Sequence, residues 1–470
     1  MKFPHFVGGT NEAFSTIGDT QRTINLYPHI IGAAGKNSIV LRGTPGLSAL
    51  VTVAAKTSVR GMFLGDQADT AFFYAAIDDK LYKVKNDGTA PTEVGALSND
   101  NKPIKWATGG SGRDTVIVSN SVAYSLISGT LAAISDLSAK SITAIASMDN
   151  YWIAGLSDGT YYISGLNDPT SWDALDFEVA DDASQPVLNI QTSNHQLWLL
   201  GRTRTNVWYN SGATFFPFEQ VKGVQIRFGC MAPDSPAIVD NSITWLARNE
   251  HGGPCVVAAR NYSPQRISTP AIESMIAALS THDDAIGFGI ENEGHVFYFL
   301  TFPTGNLTLC YDFTTNMWHE RDYWTGTVYQ AHLAKCHVIS GGKHYVGARN
   351  AGTIYLMSNT AYLDGAQAIR RLRRSGHLSE ENELIRYASL ELDLEKGLGG
   401  TGTNPTASLR WSDDGGKTWT SPLTASIGET PLYGIEVIWY RLGAGRDRVF
   451  EVTSTAAIRH CWIDAFLKIS

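Results

Sequence analysis

Hydrophobic residues in this chain fall into short runs and alternations broken by turn formers, and the same arrangement keeps returning. The stretch 187–221 shows the unit most clearly. Val187-Leu188-Asn189-Ile190-Gln191 alternates and predicts a strand, Leu197-Trp198-Leu199-Leu200 is an apolar run closed by Gly201, and Asn206-Val207-Trp208-Tyr209 follows a polar turn. Phe216-Pro217-Phe218-Glu219-Gln220-Val221 reads as an outer strand, because a proline without an amide hydrogen suits an edge. Four such strands cannot bury both faces alone, so the unit must stack on copies of itself.

The copies are countable. Second strands are expected to start near residues 72, 115, 151, 197, 244, 296 and 344, at intervals of roughly 36–52 residues, the spacing of propeller blades. The expectation is an all-β protein whose residues 59–360 form a β-propeller of six or seven blades, seven favoured. A β-sandwich of the same strands would show no fixed period. Residues 1–58 read as an irregular arm with Pro45-Gly46 in a type II turn, and Ile39-Val40-Leu41-Arg42 is the segment expected to complete the last blade. Behind Thr269-Pro270, residues 271–279 predict one short helix.

Near residue 360 the pattern changes. Ile369-Arg370-Arg371-Leu372-Arg373-Arg374 is a basic cluster, and Tyr387-Ala388-Ser389-Leu390-Glu391-Leu392-Asp393-Leu394 alternates strictly. Further strands are expected at 407–411, 435–442, 448–453 and 460–467, with a glycine-rich loop at 397–404. Residues 361–470 therefore read as a second domain, a C-terminal β-sandwich.

Composition narrows the function. The 45 glycines and the 12 Trp, 19 Tyr and 18 Phe suit a turn-rich β protein. A formal charge of −8 argues against a general nucleic-acid coating protein, which would be basic, but not against a local basic patch. The start, Met1-Lys2-Phe3-Pro4-His5, leads into no apolar run of signal-peptide type, and no stretch is long and apolar enough for a membrane span. Five cysteines (Cys230, Cys255, Cys310, Cys336, Cys461) lack close spacing and read as reduced core residues from a reducing cytoplasm.

Candidate chemistry is sparse. Ser412-Asp413-Asp414-Gly415-Gly416-Lys417-Thr418-Trp419 matches the Asp-box pattern at Ser412, Asp414, Gly416, Thr418 and Trp419. It reads as a structural turn, with Asp414 accepting from turn amides, Gly416 at positive φ and Trp419 packed beneath. Because Asp boxes are familiar from sialidase propellers, a glycan-binding or glycan-cleaving propeller is the alternative reading. His332 and His337 lie five apart and do not make a metal site, and Asp181-Asp182 and Asp283-Asp284 read as solvated loop pairs. No catalytic, cofactor-binding or metal motif stands out. Arg370, Arg371, Arg373 and Arg374 either pair with the domain's own carboxylates or form an intersubunit or partner contact, since guanidinium groups pair carboxylate and phosphate in bidentate fashion.

Two ends of the chain then carry a resemblance. Arg22-Thr23-Ile24-Asn25-Leu26-Tyr27-Pro28 with Gly43-Thr44-Pro45-Gly46-Leu47 is similar to the opening of the packaged-DNA stabilisation proteins of short-tailed bacteriophages. The arginine strand, His377-Leu378-Ser379, the Asp-box turn, Tyr440-Arg441-Leu442-Gly443 and Arg446-Asp447-Arg448-Val449-Phe450-Glu451 resemble their closing part. The resemblance implies a non-enzymatic tail hub or nozzle protein of the virion, assembled in the cytoplasm of the bacterial host. It implies a homo-oligomer, typically a hexamer, below the portal and head-to-tail adaptor. Such a ring continues the DNA channel, helps close it, and carries a tail needle or plug and tailspikes or fibres. Six copies at −8 each would carry roughly −48, so the expected lumen is acidic or mixed and DNA is held mainly by plugging. Trp198 and Trp208 accordingly read as packing between blades rather than as a sugar platform.

Overall fold

A computed structural model describes residues 2–32, 36–66, 68–110, 112–180, 185–224, 226–248 and 252–469. Strands whose two faces are both apolar, as in Phe72–Ile77 and Tyr151–Leu156, are buried on both sides between neighbouring sheets. The second strands of the repeat begin at Phe72, Thr115, Tyr151, Gln196, Ser242, His295 and Lys343, each within two residues of the expected start. Tight turns at positive φ, such as Asn120-Ser121, Asp149-Asn150 and Asp240-Asn241, join the second strand to the first or third.

These strands make seven antiparallel sheets spanning 59–96, 105–133, 142–179, 189–220, 229–266, 286–320 and 334–358. The innermost strands touch their neighbours around a common axis. A separate apolar cluster fills each gap between consecutive sheets, and the last, with Phe73, Val84, Val338 and Tyr345, joins the seventh sheet to the first. The result is a closed β-propeller. Trp208 lies at 8% exposure between the third and fourth sheets, edge-on to Tyr161, and Trp198 at 3% between the fourth and fifth. The helix runs Pro270–Ala277, with the Thr269 hydroxyl accepting from Ile272 N, and packs between the fifth and sixth sheets.

The N-terminal arm corrects the sequence reading. It is not irregular: Thr20–Ile24, Leu26–Ile30, Ile39–Gly43 and Gly46–Thr52 are strands. The propeller is closed by Gly46–Thr52, which pairs antiparallel with Thr353–Ser358 as the outer strand of the seventh sheet. Ile39–Gly43 instead pairs with Leu26–Ile30 and with Cys461–Ile469 in the second domain. The turn assignment fails for a related reason. A type II turn needs positive φ at Gly46, and Gly46 has none; a Cβ there would stand 2.5 Å from Leu363 O and 2.6 Å from Ala361 O. The glycine is needed for close approach of the incoming 361–363 backbone.

The second domain is a β-sandwich of two sheets. One runs in the order Leu26–Ile30, Ile39–Gly43, Cys461–Ile469, Ile385–Leu394, Val437–Tyr440, with Pro28 on the edge strand where a missing amide costs nothing. The other runs Thr20–Ile24, Arg371–Arg374, Asp447–Ser454, Thr406–Ser412, Leu423–Ser426. Between them lie Leu390, Leu409, Phe450, Val452 and Trp462, together with Phe3 and Phe6 from the extreme N-terminus. This second sheet is continuous with the sixth propeller sheet through a parallel bridge from Ile24 to Glu320.

Four cysteines are buried, Cys461 is half-buried, and all five are free thiols. Among the described residues no helix is long and apolar enough to cross a membrane.

Candidate functional site

The arginine run forms the second strand of a sandwich sheet, and alternation along it separates its side chains. Arg371 and Arg373 point between the two sheets, while Arg374 points to the opposite face. Arg373 is fully buried and spends its whole guanidinium on the arm. Nε donates to Phe6 O (2.5 Å), Nη1 to Gly9 O (3.1 Å) and Thr23 Oγ1 (2.9 Å), and Nη2 to His5 O (2.8 Å) and Gln21 Oε1 (2.7 Å). Burial pulls its pKa down to about 9. Arg371, also buried, donates to Ile369 O and Ala456 O at 3.3 and 3.4 Å; burial lowers it to about 10, opposed by Asp364. Burial in turn raises Asp364 to about 7 despite Arg371 and Arg321.

On the other face the register builds a charge ladder. Arg374 stands opposite Glu451, and Glu451 opposite Arg410. Glu451, inaccessible to solvent, accepts from Arg374 Nε at 2.9 Å and from Arg410 Nε at 2.7 Å. Trp419 covers both guanidinium groups, with centroid distances of 4.9 Å to Arg374 and 4.6 Å to Arg410. The ladder continues to Arg22, opposite Arg374, with Glu12 between them at 3.4 and 3.8 Å. Arg22 then pairs bidentately with buried Glu320 of the propeller. Burial works against the Arg22 charge, but Glu320 outweighs it and holds the group above its ordinary value. Asn25 completes the joint, donating to Asp322 O at 2.8 Å and Arg370 O at 3.0 Å while Asp322 N donates back at 3.0 Å. Asp322 is pushed well above the carboxylate range by burial and by neighbouring Glu320.

The Asp box is the outer bracket of this ladder. Asp414 Oδ1 accepts from Ser412 Oγ (2.6 Å), Lys417 N (2.9 Å) and Thr418 N (2.9 Å), and Oδ2 from Thr418 Oγ1 (2.6 Å). Those bonds hold its pKa below the usual range. Gly416 sits at φ +87°, and Trp419 Nε1 donates back to Gly416 O at 3.0 Å, which orients the indole over the arginines.

The contact reading of the cluster needs correction. Arg371 and Arg373 are buried among the chain's own acceptors and Arg374 is spoken for by Glu451 and Glu12, so three of the four cannot reach a neighbour. Arg370, stacked 4.4 Å over Trp324 and 5.4 Å over Tyr329, is half-exposed and has no ion-pair partner among the described residues. Arg22 and Glu320 were missed; the signal was Arg22 itself, a charge in an alternating stretch beside Thr23-Ile24. His332 and His337 are not brought together. Each is held near a pKa of about 3 chiefly by burial, and His337 contacts His344 at 3.0 Å instead. Among the described residues no three His, Cys, Asp or Glu side chains group as metal ligands. Asp283 accepts from the Thr281 hydroxyl and Asp284 from Thr304 N, whereas Asp181-Asp182 lies outside the described residues.

Comparison with known proteins follows the same division. A family model described as "Bacteriophage P22 Gp10, beta-propeller" matches residues 14–362, and one described as "Bacteriophage P22 Gp10, beta-sandwich" matches 370–469. No curated protein matches. Solved structures that overlap include the WD40 propeller domain of Doa1, with 11% identity, a TM-score of 0.42, and coverage of 67% of this chain and 97% of that one. YCF48 from Cyanidioschyzon merolae overlaps at 10% identity and a TM-score of 0.41, over 66% and 98% of the two chains. The computationally designed Ika8 protein gives 10% and 0.40, over 66% and 99%.

Proposed function

The chain belongs to the bacteriophage P22 Gp10 family, and from that premise we propose that it is a tail hub, or nozzle, of a short-tailed phage virion. Six copies form a ring below the portal and head-to-tail adaptor, continue the DNA channel, and help retain the packaged genome. The ring carries a tail needle or plug and tailspikes or fibres. Its role is mechanical and non-enzymatic.

One observation carries the reading: both family models match in order, and together they span nearly the whole chain. The joint between the domains supports it. A sheet continuous from propeller to sandwich, locked by Arg22–Glu320 and by Arg373 on the arm, suits a rigid part that transmits load. Arg371 and Arg373 then act inside the subunit, and Arg370 is the member of the run open to a neighbour. With −8 on each copy, the lumen is acidic or mixed and the genome is held chiefly by plugging.

Mass measurement and electron microscopy of the purified chain, alone and with portal–adaptor complexes, test the proposal. Six-fold rings seated on the adaptor are expected, with no sugar released from sialosides or host glycans. A monomer that ignores the adaptor and turns over a glycan would overturn it. A continuous lining of lysine and arginine in the ring would overturn the plugging mechanism alone.

A further inference from the structure

The innermost strands of the propeller surround an axial cavity of ≈ 750 Å³, a volume typical of small-ligand sites. It opens at the end where those strands begin, since its wall includes Lys105, Ile142, Ile286 and Ala334, each the first residue of an inner strand.

The charge of this wall runs against that of the chain. Six cations and four carboxylates line it, in a protein of net −8. Two carboxylates are already neutralised: Asp234 lies 3.7 Å from Lys105, and Asp100 accepts at 2.7 Å from Arg60 behind the wall. Lys102, Arg202, Arg248, Lys335 and Arg349 remain, against Asp283 and Asp284. Lys335 is the buried element, 8% exposed. Its Nζ donates to Ser58 Oγ at 3.0 Å and Asn101 O at 2.9 Å, which leaves one of an ammonium's three donors for the cavity. No carboxylate lies within ion-pairing distance of it among the described residues, and burial holds its pKa below the ordinary lysine value. Arg349 is similar, with Nε spent on Ala331 O at 3.2 Å. Arg202, in the turn after the fourth sheet's second strand, and Arg248, the last residue of the fifth sheet's second strand, are exposed, and among the described residues neither has an ion-pair partner.

We propose that the axial cavity binds a small multivalent oxyanion, a polyphosphate or a polycarboxylate, between buried Lys335 and the guanidinium groups of Arg202, Arg248 and Arg349. Guanidinium forks match the paired oxygens of either class, and a buried ammonium with a spare donor gains most from an anion that completes its shell. The site is independent of the hub reading, because it belongs to the axis of a single propeller.

Isothermal titration of the full chain at low ionic strength, with tripolyphosphate and citrate as separate probes, tests this. Saturable binding of one ion per chain by either probe is expected, and the probe that binds identifies the class. Affinity should fall about tenfold or more in Lys335→Met and in Arg202→Gln/Arg248→Gln, while Lys335→Arg retains most of it. Melting curves check that each variant folds; if Lys335→Met does not, the exposed arginine pair carries the test. Absence of saturable binding, or binding that both variants leave unchanged, overturns the proposal. So does tight binding of polyglutamate that neither small anion displaces, which would make the mouth a peptide site.

Discussion

At the scale of the residue, Arg373 shows how a charge run on paper becomes an internal tie. Its five donors meet five acceptors, all of them on the arm segment 5–23 and none of them a carboxylate. Replacing it with methionine leaves those acceptors unpaired, and chemical denaturation should register a loss of at least about 3 kcal/mol, because hydrogen bonds to charged groups are worth roughly 1.5–3 kcal/mol each. Proteolysis of the variant should begin near residues 5–9. Asp364 gives a pH signature. Its carboxyl rises from 3.8 to about 7 on folding, so the folded chain holds a proton that the unfolded chain releases between those values. Its contribution to stability is therefore complete below pH 3.8 and is lost as pH rises through about 7. Asp364→Asn should gain on the parent protein steadily across that window, read as a growing difference in melting temperature, while buried His332 and His337 shift both proteins alike.

At the scale of the element, the closing strand Gly46–Thr52 decides whether the propeller is a ring or an open stack. It supplies the outer strand of a sheet whose other three strands come some three hundred residues later. Gly46→Val drives a side chain into the carbonyls of Leu363 and Ala361, 2.5 and 2.6 Å from the first added carbon. A cost of about 2–3 kcal/mol is expected, as for other overpacked sites. Far-UV dichroism during urea unfolding should then show the seventh sheet loosening first. The propeller strands were legible because each buries two apolar faces against neighbours a few dozen residues away. The arm strands were not, apart from Ile39–Gly43, which was expected as a strand but in the propeller rather than the sandwich. Thr20–Ile24 and Ile39–Gly43 are short, carry Arg22 and Arg42, and find their partners near the other end of the chain.

At the scale of the whole molecule, propeller and sandwich share one sheet, so they should unfold together. Calorimetry of the parent protein is expected to give a single transition. Arg22→Met leaves Glu320 charged, buried and without its main partner, and should cost about 3–5 kcal/mol and split the transition into two. Adding Glu320→Gln removes the stranded charge, so the double variant should be more stable than Arg22→Met alone. Equal stability of the two would assign the weld to the backbone bridge at Ile24 and Glu320 instead.

By itself the sequence determined the repeat, the all-β architecture, the change of pattern near residue 360 and the Asp-box turn. All of these rest on side-chain periodicity or on hydrogen bonds spanning a few residues. Only the tertiary structure decided which segment closes the ring, where the arginines point, and that five cations gather against two carboxylates around the axis of an acidic chain. Those outcomes depend on register between strands hundreds of positions apart. A shift of one residue there turns every side chain to the opposite face, and no local pattern records which register prevails.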